Sequence, residues 1–559
     1  MLKTLFPPLQ WIKGYSFKQL GSDAGAGITL AAYAIPVSMA YATLAGLPPQ
    51  YGIYGYLIGG IFYAFFGTGR QLSVGPTSAI SLLIGTTIAT MANGDIQRWA
   101  DIASLTALVM GVMSLLAYFL RLNSMISFIS ESVLMGFKAG AAITIALTQL
   151  PKLFGVKGGG TGFFDRAGIL ISQLPGTNLA VLIFGLSAII LLLAAERLFP
   201  GRPAAIILVF VSIVIISATA LINSGISVVG AIPPGLPELH VPSLRVKDVD
   251  GVIPLAFACF LLAYIESVSA AKTLANLGDY EIDSHQELLG LAAANVATAF
   301  GQGYPVSGGL SQSAVNSKAG AKTPLSLVFA SVVITLCLLF LTGMLKNLPN
   351  VILATIVLIA IKSLIDIKGL KRLWKVSRME FTVAMVALSG VIVFGILKGV
   401  ILAAVASIVL MLRTVADPHI AFLGRIPGTK RYTDISRHPD NELIPGLLLF
   451  RVEASVLYFN VENIRKRVWT EILQSKDPLK CVIWDLSSSP YVDIAGARLI
   501  KKLYFDLNAK GISFKLAEAY ASVRDILRIE EMEHLLGHIS RKISIDDLVN
   551  ESIKGDKNL

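Results

Sequence analysis

Apolar runs of membrane-spanning length alternate with short polar segments from residue 23 to residue 416. They lie at 23–44, 50–67, 102–121, 124–150, 177–197, 203–222, 252–275, 324–345, 350–366, 379–395 and 398–416. Three further stretches, 72–92, 286–303 and 306–319, have an apolar pattern that glycine and proline interrupt or shorten. Because about 20 apolar residues in a helix cross a bilayer, the pattern predicts a polytopic α-helical membrane protein with about fourteen spans.

The most polar of these segments is Tyr304–Gly320, which lies between two long apolar runs. Pro305 favours an extended backbone at Tyr304, and Ser311 or Ser313 is expected to cap a helix that begins there. Irregular backbone at membrane depth is tolerated where protein buries it or water reaches it, and a helix N-terminus attracts anions. The sequence therefore predicts a short strand, a half-helix and an anion site.

A similar interruption occurs in the first half of the chain. In Gln71–Ala79, as in Pro305–Ala314 of the second half, a proline and glycine interrupt the apolar pattern, and a pair of Ser or Thr residues follows at the start of a short helix. Paired interruptions in two halves indicate an inverted repeat with a site near the bilayer midplane. The alternative is a helix-packing role for these small residues, and the local sequence favours neither.

After Ala416 the pattern changes to that of a soluble α/β domain. Strands are predicted at 447–452, 456–459, 481–486 and 513–516, and helices at 461–475, 495–509 and 521–529. The polar segment 417–441, with three prolines, is interpreted as a linker. The predicted organisation is a cytoplasmic lead-in at 1–20, a transmembrane domain at 21–416, the linker at 417–441 and a soluble domain at 442–559.

Composition and charge agree with a membrane protein. Hydrophobic residues make up 54% of the 559 residues and charged residues 15%, and the mean hydropathy is +0.69. From His438 onward 17 Lys and Arg oppose 18 Asp and Glu, whereas the preceding region has 30 against 18. The positive-inside rule explains a basic excess confined to the membrane part, and it places both termini in the cytoplasm. We expect no nucleic-acid partner.

The three cysteines suggest neither a disulfide framework nor a metal cluster. The sequence predicts no cofactor, no metal site and no enzymatic activity.

Several motifs resemble the SulP family of anion permeases. The stretch 34–55, AIPVSMAYATLAGLPPQYGIYG, resembles the first-helix signature of that family. Further matches are GFKAGAAI at 136–143, QLPK at 149–152, QELLG at 286–290 and SAVN at 313–316. In the soluble part, VIWDL at 482–486 and VDIAG at 492–496 resemble a STAS domain, which would correspond to residues 442–559.

The resemblance implies seven-plus-seven inverted repeats divided into core and gate domains, a homodimer, and an elevator-like core movement in the plasma or inner membrane. It implies an anion bound between the two half-helices and beside the first helix. The implied substrate-binding residues are Ser38, Tyr41, Pro76, Thr77, Ser78, Gly309, Ser311 and Gln312. The leading function is sulfate transport by proton symport.

Two positions depart from the family pattern. Val37 stands where many members have glutamine, and Gln312 stands where many have arginine. The loss of a fixed guanidinium shifts weight to Glu266, which matches an acidic position implicated in proton coupling in plant-type sulfate permeases. An ionised carboxylate inside a membrane is costly, so Glu266 is also a candidate proton carrier on physical grounds. The alternative for Glu266 is a structural, hydrogen-bonded glutamate.

Other functions remain open at this stage. The chain could carry bicarbonate or a dicarboxylate with sodium or proton coupling, or serve as an anion-binding, voltage-responsive motor or channel. The soluble domain could recruit a cytosolic partner. Lys138, an ionisable residue within the apolar run 124–150, could attract anions or extend its ammonium group to the membrane surface.

Overall fold

The fold is described from a computed structural model, which covers residues 6–92, 95–122, 131–160, 162–198, 204–219, 221, 224–243, 245–278, 280–475, 477–537 and 543–555. It divides into two compact units, Met1–Ser407 and Ile408–Leu559. Parts of the lead-in expected at 1–20 and of the spans expected at 124–150 and 203–222 lie outside the described residues.

The first unit is helical, apart from two short strands. Its longer helices are α1 (Phe17–Leu44), α2 (Pro49–Phe66), α3 (Ser78–Ala92), α4 (Ile96–Phe119), α5 (Glu131–Phe154), α6 (Phe163–Gln173), α7 (Leu179–Leu198), α8 (Ala204–Ala218), α9 (Val246–Gly278), α10 (Ser284–Phe300), α11 (Leu310–Lys318), α12 (Leu325–Phe340), α13 (Asn350–Ala360), α14 (Ile367–Val376), α15 (Arg378–Phe394) and α16 (Ile396–Ala416). Strand β1 (Val74–Gly75) precedes α3, and β2 (Ser307–Gly308) precedes α11. The polar segment Tyr304–Gly320 thus contains the predicted short strand and half-helix.

Length and hydropathy identify several membrane spans. Among the described residues, four helices are long and apolar enough to cross a bilayer, and the bent pair formed by α6 and α7 can provide a fifth. Other apolar helices, including α8 and α13, are shorter. The chain is therefore a multi-pass helical membrane protein, and the total of about fourteen spans stays a prediction.

Helix α1 shows how local sequence sets an element boundary. The Ser16 hydroxyl accepts a hydrogen bond from the Gln19 backbone N–H at 3.3 Å, and the Ser16 N–H donates to the Gln19 side-chain oxygen at 2.8 Å. This reciprocal capping satisfies two backbone donors that a helix start otherwise leaves unpaired. The helix then continues through Pro36, which lacks an N–H and removes one hydrogen bond from its middle.

Helix packing in the first unit falls into two groups. Helices α1–α4 pack mainly among themselves and with α9–α12, most extensively α4 with α10 and α1 with α12. Helices α5–α8 pack with α13–α15, most extensively α5 with α15. Contacts between the groups include those of α1 with α8 and α13 and of α3 with α5. Both short strands and both half-helices belong to the first group.

The second unit contains a five-stranded mixed sheet in the order β4-β3-β5-β6-β7. Its strands are β3 (Ile420–Arg425), β4 (Tyr432–Asp434), β5 (Leu447–Val452), β6 (Cys481–Asp485) and β7 (Ser513–Ala517). Strands β5, β6 and β7 are parallel, whereas β3 runs antiparallel to both β5 and β4. Helices α17 (Val461–Gln474), α18 (Ile494–Asn508), α19 (Ala521–Ile529) and α20 (Ile545–Gly555) complete this unit.

The two faces of this sheet have separate apolar cores. Phe450 and Trp484 on one face pack with residues of α17, α18 and α19, including Leu503. On the other face, Leu449 and Ile483 pack with residues of α20. The Tyr432 hydroxyl donates to the Asp546 carboxylate at 3.2 Å, which links edge strand β4 to α20. Burial and this carboxylate raise the pKa of Tyr432 to about 12.

The structure differs from the sequence prediction at two places in this unit. The segment expected as a linker, 417–441, contributes β3 and β4 to the sheet. In this segment the alternation of apolar and polar residues is short, and a turn around Pro427 and Gly428 follows it directly. The sequence pattern therefore resembles that of a connection between domains. The strand expected at 456–459 is an isolated bridge between Val456 and Val492, followed by a turn. The remaining predicted elements agree with the structure within one residue.

Candidate functional site

Two helix N-termini are joined by a two-stranded antiparallel bridge. Val74 pairs with Gly308, and Gly75 pairs with Ser307. Each strand leads within three residues into a short helix, α3 at Ser78 and α11 at Leu310. The bridge therefore brings together the positive ends of two helix dipoles from distant parts of the sequence.

Close packing around the bridge explains its glycines. A β-carbon on Gly75 would lie 2.2 Å from the Tyr56 ring, and one on Gly308 would lie 2.8 Å from the Leu72 side chain. Both glycines are fully enclosed, so a larger residue would push the strands apart. The glycines that interrupt the apolar pattern thus permit the two strands to pair in a crowded interior.

Helix α9 supports the bridge with two consecutive residues. The Glu266 carboxylate accepts hydrogen bonds from the Ser307 hydroxyl at 3.1 Å and from the Thr77 hydroxyl at 3.3 Å. The next residue, Ser267, accepts the Gly308 backbone N–H at 2.7 Å. The half-buried Lys138 of α5 acts electrostatically on the same carboxylate. One carboxylate therefore contacts both hydroxyl groups that precede α3 and α11, and these hydroxyls lie 3.2 Å from each other.

Gln312 connects the two half-helices. Its amide nitrogen donates to the Pro76 carbonyl at 2.8 Å, which ties the first turn of α11 to the residue before Thr77. Its side-chain oxygen is buried and has no hydrogen-bond partner among the described residues. Gln312 is thus a neutral bridge whose second polar atom remains available at the site.

The start of α11 differs from the predicted serine cap. The helix begins one residue before Ser311, with Gly309, which has no side chain, as its N-cap. The Ser313 hydroxyl instead donates to the Gly309 carbonyl at 2.7 Å and accepts the Ser73 backbone N–H at 2.8 Å. The extended Gly-Gly segment moves the start of α11 ahead of both serines, so neither of them occupies the N-cap position. Ser311 lies in that turn.

Helix α1 contributes unequally to the site. The Tyr41 phenol interacts with the Ser78 side chain and lies close enough to Glu266 and Tyr304 for charge interactions, so it faces the bridge region. Ser38 is buried, and its hydroxyl donates to the Ile35 carbonyl of its own helix at 3.1 Å. The structure therefore brings Tyr41 to the bridge together with the predicted half-helix residues, whereas the Ser38 hydroxyl is engaged within α1.

Sequence reasoning did not identify two serine hydroxyls at the site, one that donates to Glu266 and one that accepts a hydrogen bond from strand β2. They are Ser307, immediately before the Gly-Gly pair, and Ser267, immediately after Glu266. A serine beside an intramembrane acid, and one at the end of an extended segment, are the local signals that could have indicated them.

A buried carboxylate on α10 holds the loop that leads into β1. Glu287 is inaccessible to solvent, accepts four hydrogen bonds and forms no ion pair with any described residue. They come from the Thr68 hydroxyl at 2.6 Å, the Thr68 N–H at 2.8 Å, the Tyr63 hydroxyl at 2.8 Å and the Gly69 N–H at 3.1 Å. A residue of the second half thereby fixes the approach to the first half-helix.

A second buried carboxylate holds the loop that leaves α11. Asp23 of α1 is also inaccessible and accepts the Thr323 hydroxyl at 2.6 Å, the Thr323 N–H at 3.1 Å, the Lys322 N–H at 2.6 Å and the Tyr15 hydroxyl at 2.8 Å. The donors are of the same kinds as those at Glu287: both groups of a threonine, one neighbouring amide and one tyrosine. We call these two clusters the Glu287 latch and the Asp23 latch.

Known protein families and sequences match this chain over most of its length. Residues 20–387 match the sulfate permease family, and residues 438–544 match the STAS domain. A probable sulfate transporter of Mycobacterium tuberculosis strain H37Rv is 32% identical over 531 residues, which cover 95% of each chain. High affinity sulfate transporter 1 of Stylosanthes hamata is 30% identical over 575 residues, with coverage of 98% of this chain and 86% of the relative.

Solved structures share the fold at lower identity. The murine Solute Carrier 26 family member A9 anion transporter, in its inward-facing state, superposes with a TM-score of 0.89 and 22% identity, covering 99% of this chain and 94% of that one. The transmembrane domain of the cyanobacterium bicarbonate transporter BicA superposes with a TM-score of 0.61 and 21% identity, covering 70% and 98%.

Neutral substitutions in the two latches should destabilise the first unit. In Glu287→Gln and Asp23→Asn, an amide NH2 replaces an acceptor that faces several donors, and an unmade buried hydrogen bond costs about 1–3 kcal/mol. We expect each variant to lower the thermal unfolding midpoint in detergent. Amide hydrogen exchange should increase at residues 67–69 in Glu287→Gln and at 322–323 in Asp23→Asn.

Glu281→Gln is the matched control for these variants, because Glu281 is an exposed carboxylate close to Glu287 in sequence. If the latch variants behave like this control in both measurements, the carboxylates do not hold the loops.

Proposed function

The chain belongs to the sulfate permease family, and we propose that it transports a small inorganic anion, sulfate, by secondary active transport with proton symport. Its family and relatives are transporters, not enzymes. The observation that carries the proposal is the meeting of two half-helix N-termini at the β1–β2 bridge beside Glu266. The names of the curated relatives, which are sulfate transporters, support the choice of substrate.

The proposed anion site uses dipoles and hydroxyl groups. Its substrate-binding residues are Ser38, Tyr41, Pro76, Thr77, Ser78, Gly309, Ser311 and Gln312. The first turn of α11 presents backbone N–H groups toward the bridge, and the hydroxyl groups of Thr77 and Ser78 add polar contacts. Donors at a helix N-terminus stabilise an anion. Because Gln312 adds no charge of its own, the anion would be held without a fixed guanidinium and could be released.

Glu266 is the proposed proton-coupling residue. In the structure its carboxylate occupies the hydroxyl donors of Thr77 and Ser307. An ionised Glu266 would therefore compete with the anion for these donors and repel it. A proton on Glu266 removes the repulsion and weakens the competition, so proton and anion favour each other's binding. Lys138 acts on Glu266 from the other helix group and moderates its charge.

The two groups of packed helices support an elevator-like mechanism. The proposed site lies in the group α1–α4 with α9–α12, and this group would move as the core against α5–α8 with α13–α15 as the gate. This division accords with seven-plus-seven inverted repeats and about fourteen spans. We further propose a homodimer in the plasma or inner membrane with cytoplasmic termini. The soluble unit would follow a lead-in at 1–20 and a transmembrane domain at 21–416, and it would regulate transport or bind a cytosolic partner. It includes strands β3 and β4 of segment 417–441 together with the expected STAS residues 442–559.

Substrate competition on the purified protein tests the proposed substrate. We expect proteoliposomes to accumulate radiolabelled sulfate in a saturable manner, and excess unlabelled sulfate to abolish this uptake. Equal excesses of bicarbonate, chloride or succinate should inhibit little. Saturable uptake of bicarbonate or a dicarboxylate without sulfate uptake would establish the alternative carrier. A requirement for sodium in the uptake would identify sodium, in place of the proton, as the coupling ion. Anion-dependent charge movement without accumulation would indicate a motor or channel.

A negative charge at residue 312 tests the position of the anion site. In Gln312→Glu the carboxylate would lie at the junction of the half-helices, where a unit charge a few ångströms away costs a bound anion more than 1 kcal/mol. We expect the KM for sulfate to rise at least about tenfold, whereas Gln97→Glu, at an exposed position of α4, should leave it unchanged. Equal KM values in the two variants would place the anion elsewhere.

Removal of the titratable group at Glu266 tests the coupling. We expect Glu266→Gln to lose sulfate accumulation driven by an imposed pH gradient while retaining sulfate–sulfate exchange, because the neutral amide mimics only the protonated state. Glu238→Gln removes an exposed carboxylate of the same unit and should keep the response. Gradient-driven accumulation that persists in Glu266→Gln would assign Glu266 the structural role instead.

A further inference from the structure

A polar cavity lies where α1, α3, α5 and α6 approach one another, away from the β1–β2 bridge. Its volume is about 280 Å³, and its wall includes Thr43 near the end of α1, Thr86 of α3, Lys152 near the end of α5 and Arg166 of α6. The loop Lys157–Gly160 closes one side. This space, which we call the α5 cavity, is separate from the β1–β2 bridge and has played no part in the function proposed above.

The charged groups in the wall of the α5 cavity are all cationic. They are Lys152, Lys157 and Arg166, and among the described residues no carboxylate lines the cavity. Asp165 precedes Arg166 and offsets part of its charge, and the Arg166 guanidinium donates to the Gly160 carbonyl at 3.1 Å. Lys152 is half-buried and forms no ion pair within the described chain. The lining residues therefore carry a net positive charge, of which Asp165 offsets the part on Arg166.

Two helices connect the α5 cavity with the candidate site. Along α3, cavity residues Leu82 and Thr86 lie four and eight residues after Ser78, or about 6 and 12 Å along the helix axis. Along α5, Lys138 and Lys152 are separated by two heptads, so they lie on nearly the same helix face about 21 Å apart. The cation that acts on Glu266 and the cation in the cavity thus share one helix.

We propose that the α5 cavity is a second anion site, which concentrates small inorganic anions on Lys152 and Lys157 before they reach the β1–β2 bridge. Low-dielectric walls lined by one sign of charge raise the local concentration of the opposite ion. Binding selects for charge, because the charged groups in the wall are all cationic. The role in uptake rests on the proposed transport function, whereas anion binding itself does not.

Trp99 provides a direct probe of this site. Its indole lines the α5 cavity and donates to the Ala45 carbonyl at 2.9 Å. The ratio of quenching by iodide, an anionic collisional quencher, to quenching by neutral acrylamide should therefore be higher for Trp99 than for free N-acetyltryptophanamide. The difference between the wild-type protein and Trp99→Phe isolates the Trp99 signal, and added sulfate should reduce its quenching by iodide.

Removal of the positive charge provides the decisive comparison. In Lys152→Gln and Lys157→Gln, measured on the full chain in detergent, we expect the iodide quenching constant of Trp99 to fall about two- to fivefold, the change produced by one nearby charge in a water-like medium. Acrylamide quenching should not change, and Lys152→Arg should retain the wild-type value. Lys346→Gln, at an exposed lysine outside the cavity, is the control for net charge.

Iodide quenching that falls equally in Lys346→Gln, or in none of the lysine variants, overturns the proposal. If Trp99→Phe does not yield a monodisperse protein, total tryptophan quenching in the lysine variants gives the same decision. In proteoliposomes, Lys152→Gln should raise the KM for sulfate at unchanged maximal rate. Altered iodide quenching without any sulfate transport would leave the anion site standing and reject only the transport function.

Discussion

The antiparallel pairing of Val74–Gly75 with Ser307–Gly308 is the contact on which the rest of the membrane unit depends. Backbone that leaves a helix inside a membrane must find partners for its N–H and C=O groups. Here two such segments pair with each other. The Ser267 hydroxyl accepts a hydrogen bond from the Gly308 N–H, and the Ser73 N–H donates to the Ser313 hydroxyl. The glycines are required because the Tyr56 and Leu72 side chains leave no room for a β-carbon.

The two latches maintain this arrangement from outside the bridge. Glu287 and Asp23 are buried carboxylates that accept backbone and hydroxyl donors, and neither forms an ion pair within the part of the chain that the structure describes. Each comes from a helix distant in sequence from the loop that it holds. The loops therefore resist displacement, and both half-helices keep their N-termini at the bridge. This arrangement resembles a binding site whose geometry is set by its supporting contacts before a ligand arrives.

The charge distribution is consistent with a site that binds an anion and then releases it. Gln312 joins the half-helices with a neutral amide, and the Glu266 carboxylate occupies the nearby hydroxyl donors. The positive charges lie farther away, at Lys138 and in the α5 cavity. A fixed cation at the bridge would bind the anion more tightly but would slow its release. Distant cations can increase anion delivery without adding to that cost.

The sequence by itself determined the class of the protein. Hydropathy predicted a multi-pass helical protein, interruptions around Pro76 and Pro305 predicted the half-helices, and alternating patterns predicted most of the α/β domain, because these signals depend on neighbouring residues. Only the tertiary structure decided that the two interruptions pair as strands and that Ser307 contacts Glu266. It also decided that the Ser38 hydroxyl donates to a carbonyl of its own helix and that segment 417–441 contributes strands to a sheet. Such contacts join residues tens to hundreds of positions apart or depend on a single rotamer, and no local pattern encodes either.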